Sequence, residues 1–421
     1  MKNFFDFVKK SPTANLAVKE IKRILTEAGY TELSEREYER FSDGAKHFVI
    51  RGQSSIIAFR GKGKGGFMIS ASHADNPALA VKYQENKPYA RLSTEVYGGA
   101  IYYSWLDRPL SVAGAVSVRT ECGAKIMPVD LERAVATVPS VAIHLNRTVN
   151  DGIKINPAKD LLPIVGDIES RASLTSAIAE KLGVREEDII STELYLYNCD
   201  EPRLVGLDGS LILSPRLDDL SSVYAALSGF LSAEENGNSV PVLAVFNNEE
   251  VGSATAEGAA STFLHDTLLA ISGDEGSLRA RLHDSLMLSA DNAHALHPNH
   301  PELSDAEDTP TLGRGVAVKY NANKRYVTGL ASDTAVRLIA EKAGVPLQNY
   351  RNRADMPGGS TLGAIATTKV PVPTVDIGIP QLAMHSATET VAVRDLEYMT
   401  ALHRTHFSLG ITEAPDGFVL K

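Results

Sequence analysis

The run Val240-Pro241-Val242-Leu243-Ala244-Val245-Phe246 is apolar throughout and ends in Asn247-Asn248-Glu249-Glu250-Val251-Gly252-Ser253. A strand without a polar face has to be buried on both sides, as in the middle of a parallel sheet. The two carboxylates at its end then need an explanation. Adjacent buried carboxylates repel each other, burial raises their pKa, and a cation is the simplest relief. A Glu-Glu pair alone is usually solvated surface, so the rest of the chain has to supply partners.

Helical and strand patterns alternate on either side of this run. Ser11-Pro12 reads as a helix cap followed by proline at the first helical position, and apolar residues then recur at helical spacing from Leu16 to Leu25, up to Gly29. Strand patterns follow at 46–51, 54–60 and 67–71, the last two joined by Gly61-Lys62-Gly63-Lys64-Gly65-Gly66. That stretch lacks the spacing of a phosphate loop and precedes a strand, so it reads as a hairpin turn. From 85 to 205 the character changes to short strands (111–118, 125–129, 141–145, 193–197) between Pro- and Gly-bearing loops, with one helix at 173–182. The alternation then resumes: helix from Leu220 to Leu231, the strand 240–246, helix at 258–269, strand 286–290, a polar loop at 299–314, helix 332–344, strand 372–377 and helix 395–409. The expected fold is α/β, with a mixed, mostly parallel central sheet and helices on both faces. Residues 1–84 and 206–421 would form this discontinuous unit, and 85–205 an inserted β-rich domain.

A formal net charge of −10 argues against nucleic acid as a partner. No window approaches the ~18 apolar residues of a membrane span, and Asp6, Lys9 and Lys10 break the N-terminal apolar patches before a signal core forms. Cys122 and Cys199 fit neither a disulfide framework nor a zinc-knuckle spacing. The expected compartment is the cytoplasm.

Sheets of this kind gather their sites beyond the carboxyl ends of strands. His73, Asp75, Glu249, Glu250 and Asp291 all follow predicted strands, His385 follows one after a short loop, and Asp218 starts a helix. Two imidazoles and several carboxylates suit zinc, manganese or cobalt. Each residue also has a plain reading: His73 as a satisfied core polar group, Asp75 as a turn residue, Asp218 as a helix-end charge, Asp291 as a cap, His385 as a packed loop residue. His294 and His297 read as structural or supporting residues. Spacing alone leaves the metal and structural readings about even.

The motifs decide between them. Ser72-His73-Ala74-Asp75, Ser214-Pro215-Arg216-Leu217-Asp218, Asn248-Glu249-Glu250-Val251-Gly252-Ser253, Ser289-Ala290-Asp291 with Ala293-His294 and His297-Pro298-Asn299, and Met384-His385-Ser386 resemble, in order, the motifs of the aspartyl aminopeptidase family. Tyr103-Ser104-Trp105-Leu106-Asp107-Arg108, Ala142 to Arg147, Lys319 with Asn321 and Tyr326, and Pro357 with Gly359-Ser360-Thr361 are similar to further segments of it. Asn76-Pro77-Ala78, Asn248 and Gly358 depart from its usual residues, and none of them removes a ligand or the base.

The resemblance implies a metallo-aminopeptidase with two divalent ions, zinc first, with manganese or cobalt as alternatives. His73 and Asp291 would hold one ion, Glu250 and His385 the other, and Asp218 would bridge them. Asp75 would orient the His73 ring and Glu249 would be the general base. Lys319 would meet an acidic first residue of the peptide substrate. The inserted domain would mediate dimerisation, with dimers building a homo-oligomer such as a dodecamer, and His144 would approach a neighbouring subunit's site. The competing expectations are a neutral or basic residue preference in the same architecture, a related dinuclear-metal carboxypeptidase or deacylase, and a catalytically silent shell or binding protein.

Overall fold

The computed structural model describes residues 1–41, 44–61, 65–86, 88–235 and 237–421. Its central sheet has nine strands in the spatial order 31–33, 47–51, 55–59, 240–246, 67–73, 286–290, 374–378, 316–319, 347–350. The middle four run parallel: Val240–Phe246 pairs with Phe67–His73, that strand with Leu286–Ala290, and that one with Thr374–Gly378. Antiparallel pairs flank them, which makes the sheet mixed.

The strand Val240–Phe246 is buried at every residue. Its side chains alternate between two cores, as the twofold period of a strand requires. Val240, Val242, Ala244 and Phe246 pack with Phe263, Leu264 and Leu268 of the helix Phe263–Ser272. Leu243 and Val245 face the other way, toward Leu220, Val223 and Leu227 of the helix Leu217–Ser232 and Met399 and Leu402 of the helix Val393–Phe407. Helices therefore cover both faces. Those last two helices press together at Gly229, where an added Cβ would fall 2.6 Å from His403 Cβ.

A second, antiparallel sheet of six strands draws on residues from Ala78 to Asn198, in the order 123–130, 110–120, 189–198, 78–85, 90–97, 164–166. It has its own core around Leu79, Leu92, Val112, Val116, Leu194 and Leu196. A third sheet of five short strands joins 203–205 and 211–214 to 389–392, 380–382 and 293–294. No helix among the described residues is long and apolar enough to cross a membrane.

Several local expectations need correction. Helical structure begins earlier, with Lys2–Lys10, whose Phe4, Phe7 and Val8 are buried, and Ser11 ends that helix instead of opening the next. The second helix is Ala14–Glu27, with Thr13 at its cap. The strands flanking the glycine-rich stretch do not pair with each other, because Val240–Phe246 lies between Ser55–Phe59 and Phe67–His73, and residues 62–64 of the expected hairpin turn lie outside the described ones. Residues 141–145 form a turn. The Ala142 carbonyl accepts from the Leu145 and Asn146 amides, and Val141, Ile143 and Leu145 are exposed, so the apolar alternation there is not explained by pairing within the chain.

Candidate metal centre

The four parallel strands bring their carboxyl ends side by side. His73 is the last residue of one, and Phe246, directly opposite it in register, leads into the turn carrying Glu249 and Glu250. Asn248 opens that turn in the left-handed conformation, φ 61°, which asparagine tolerates better than most residues. Asp291 follows Leu286–Ala290 directly, and His385 comes from the loop after Pro380–Leu382. Asp218 enters from the start of the helix Leu217–Ser232, where Asp218 and Asp219 have non-helical backbone angles.

Asp218 stands between the two imidazoles. Its Oδ1 is 3.5 Å from His73 Nε2 and its Oδ2 is 3.5 Å from His385 Nε2. Asp291 Oδ1 lies 3.8 Å from His73 Nε2, Glu250 Oε2 lies 3.3 Å from His385 Nε2, and Glu249 Oε2 lies 4.0 Å from His73 Nε2. The far nitrogens are committed elsewhere: His73 Nδ1 is 3.1 Å from the Asp75 carbonyl, and His385 Nδ1 is 3.2 Å from the Gly99 carbonyl. A carbonyl only accepts, so each Nδ1 carries a proton, and each Nε2 is free to offer its lone pair toward the carboxylates.

Lone pairs facing carboxylate oxygens are unfavourable unless a proton or a metal ion lies between them. Among the described residues, Asp218 Oδ1, Asp219 Oδ1 and Glu250 Oε1 are buried and meet no hydrogen-bond donor. Ligand atoms of His73, Asp218 and Glu250 fall within 4.8 Å of one another, as do those of Asp218, Asp219 and Asp291. Two donors each about 2.0–2.1 Å from a tetrahedral zinc stand roughly 3.4 Å apart, close to the spacings around Asp218. The donor set suits a divalent-metal centre, with Asp218 between the two histidines.

Left to themselves, the protein groups meet the same crowding of negative charge with protons. Burial works against a protonated His73, yet Asp218, Asp291 and Asp75 outweigh it and hold the imidazole well above its usual pKa. Burial likewise opposes the charge on His385, and Asp218 and Glu250 raise it to about 10. Burial pushes Glu250 well above the carboxylate range and Glu249 up to about 7, with neighbouring carboxylates adding to both. Asp218, though buried, is held low by His385 and His73. Cations on these groups would reverse the local balance.

Two buried carboxylates fix the segments that carry the candidate ligands. Glu389 accepts the Asp218 amide at 3.1 Å and the His385 amide at 2.7 Å. Asp75 accepts the Glu249 amide at 3.1 Å, the Glu250 amide at 3.2 Å and the Tyr97 hydroxyl at 2.7 Å. The expected partnership of Asp75 with the His73 ring runs mainly through the Asp75 carbonyl, with the carboxylate farther off at 3.4 Å. From the second sheet, Gly98 (φ +71°) and Gly99 press against the centre. A Cβ on Gly98 would sit 3.2 Å from Glu250 Cβ, and one on Gly99 3.1 Å from His385 Nδ1.

Sequence reasoning missed Glu389, Asp219, Tyr97, Gly98 and Gly99. Glu389 follows His385 by four residues and Gly98-Gly99 follows a strand, but neither spacing carries a chemical signature. Lys319 is buried, with Nζ 3.3 Å from Asp291 Oδ2 and 5.4 Å from the Tyr326 ring centre. His294 lies edge-on to Tyr350, and His297 packs against His300 on the surface. His144 sits on the exposed turn at 141–145 and belongs to none of the contacts of the centre described above.

A sequence profile described as aminopeptidase I zinc metalloprotease (M18) matches residues 7–407. Among curated relatives, the probable M18 family aminopeptidase 2 of Clostridium novyi is 38% identical over 422 residues, covering 96% of this chain and 97% of the relative. Among solved structures, a chain in the cryo-EM structure of the Ape4 and Nbr1 complex superposes with a TM-score of 0.93 at 33% identity, over 97% of this chain and 85% of that one. The mApe1 dodecamer of S. cerevisiae matches in fold, with a TM-score of 0.83 at 24% identity over 96% of this chain and 95% of that one.

Proposed function

Because this chain belongs to the M18 family of zinc aminopeptidases, we propose that it removes aspartate or glutamate from peptide N-termini with two bound metal ions and Glu249 as base. That it is a zinc aminopeptidase acting on peptides follows from the family. The dinuclear reading rests on one observation above all: the two oxygens of Asp218 each face an Nε2 of a different histidine. His73 and Asp291 would hold one ion, Glu250 and His385 the other, and Asp218 would bridge them.

When bound, the ions supply Lewis acidity, making water acidic enough to lose a proton near neutral pH and polarising the scissile carbonyl. Glu249 takes the proton of the attacking water as the new C–O bond forms, and gives it to the leaving amine as the C–N bond breaks. Its exposure supports this role: the Glu249 side chain is 15% exposed, while that of its neighbour Glu250 is 3% exposed. Lys319 is the nearby cation for an acidic first side chain, although Asp291 already holds one side of its ammonium group.

Residues 1–84 and 206–421 make the catalytic unit in this reading, and 85–205 the dimerisation insert. The exposed Val141, Ile143 and Leu145 beside His144 support a subunit contact there, and a protein of the same fold forms a dodecamer. His144 would then reach the site of a neighbouring subunit, in a cytoplasmic homo-oligomer built from dimers.

The test is a panel of amino-acyl chromogenic substrates, assayed with and without chelator and with zinc, manganese or cobalt added back. Aspartyl and glutamyl substrates should be cleaved fastest, and chelator should abolish the activity. Faster cleavage of neutral or basic residues would overturn the acidic preference.

A further inference from the structure

Tyr97 reaches the centre from the second sheet. Its hydroxyl lies 2.7 Å from Asp75 Oδ2 and 3.0 Å from Asn248 Nδ2. A carboxylate receiving donors on every side only accepts, and a phenol has a single proton. The Tyr97 proton therefore points at Asp75, and the Tyr97 oxygen accepts from the Asn248 amide. That orients the amide, whose Oδ1 accepts the Thr255 hydroxyl at 2.8 Å, and the Thr255 oxygen in turn accepts the Gly258 amide at 3.0 Å.

The result is a one-way series of hydrogen bonds running from Gly258 through Thr255, Asn248 and Tyr97 to Asp75. Bonds in such a series polarise one another. It ends on the carboxylate that receives the Glu249 and Glu250 amides. Its other members flank the same turn, Asn248 just before the glutamate pair and Thr255 and Gly258 just after it. Tyr97 is itself braced by the ring of Tyr195, edge-on at 5.5 Å.

We propose that Tyr97 and Asn248 are positioning residues for peptide hydrolysis. Acting through Asp75, they hold the turn so that Glu249 stands free at the rim while Glu250 faces inward to a metal. The inference rests on the roles given to Glu249 and Glu250 above. It also gives the second sheet a part in the chemistry, because strand Ala90–Tyr97 ends on this tyrosine.

The test uses Tyr97→Phe, Asn248→Gly (which keeps the left-handed backbone) and the double variant in the full-length zinc enzyme. The readouts are kcat and KM, zinc affinity by chelator competition, and melting temperature. Tyr97→Phe should lower kcat about tenfold with KM within about twofold, and weaken zinc binding about tenfold, the size typical of a lost outer hydrogen bond to a metal site. Asn248→Gly should move both in the same direction by less. The double variant should be no worse than Tyr97→Phe, because the two residues act in series. A purely structural role would lower the melting temperature and leave kcat and zinc affinity of the folded enzyme unchanged. Glu249→Gln is the control. If it is inactive while Tyr97→Phe and Asn248→Gly keep kcat and zinc affinity within about twofold, the positioning role is overturned. If Glu249→Gln is active, the reading of the glutamate pair fails and the proposal with it. Should Tyr97→Phe fail to fold, Asn248→Gly carries the same test.

Discussion

His73 ends a strand of the central sheet and His385 lies in the loop after Pro380–Leu382 of the third sheet, whereas His403 and His406 lie on the helix Val393–Phe407 that covers the central sheet. His73, His403 and His406 are all buried, yet their surroundings differ in kind. Carboxylates ring the first pair and raise both imidazoles. The second pair sits among apolar side chains, and burial pushes each imidazole down to about 3. His406 Nε2 donates to the Ile69 carbonyl at 3.0 Å, while among the described residues neither ring nitrogen of His403 meets a hydrogen-bond partner. Burial therefore does not mark a histidine as a ligand. The neighbouring carboxylates, and what holds the other ring nitrogen, do.

The comparison can be broken most directly at Asp218, the residue between the strand-end pair. Asp218→Ala should lose bound zinc and all measurable turnover together, read by metal analysis and an aminopeptidase assay. Glu249→Gln should separate the two, keeping zinc but lowering kcat by about 10²–10⁴-fold. Retention of near-normal turnover would remove Glu249 from the mechanism. Glu389→Gln should have a smaller effect, weakening zinc binding by roughly 10–100-fold, because an amide cannot accept on both sides from the Asp218 and His385 backbones.

The helix pair should respond only through stability. Its depressed imidazoles are neutral in the folded protein, whereas the unfolded chain takes up protons below about 6.5. Their contribution is fully present above that pH and is lost as pH falls toward about 3. His403→Leu should leave kcat within about twofold and flatten the loss of melting temperature between pH 7 and 5 relative to the parent, with both proteins treated with chelator. An equally steep loss in the variant would show that His403 does not titrate on unfolding.

The strand-end half of this comparison was legible in the sequence because it depends on local order. A buried apolar run followed by charged residues places them at the edge of a sheet, and His73, Glu249, Glu250 and Asp291 all follow that pattern. His385 and Asp218 needed the motifs. The supports were hidden because they act across the fold: Glu389 joins backbone amides from residues 218 and 385, and Tyr97 meets Asp75 from another sheet. The misread stretch 141–145 shows the opposite limit, since alternating apolar side chains there lie exposed on a turn. His403 and His406 gave no signal beyond helical spacing, because nothing in a sequence says whether a buried imidazole will find carboxylates beside it.

The strand order has a consequence for how the protein is made. Strands 55–59 and 67–73 emerge early in synthesis, but the strand that belongs between them is 240–246, beyond the whole of the second sheet. Until that strand is synthesised, the early half presents two apolar strands with unpaired edges facing the same gap, an arrangement prone to mispairing. A nascent chain halted before residue 240 should thus call on chaperones, and the second sheet, with its separate core, is the part best placed to fold while the gap waits to be filled.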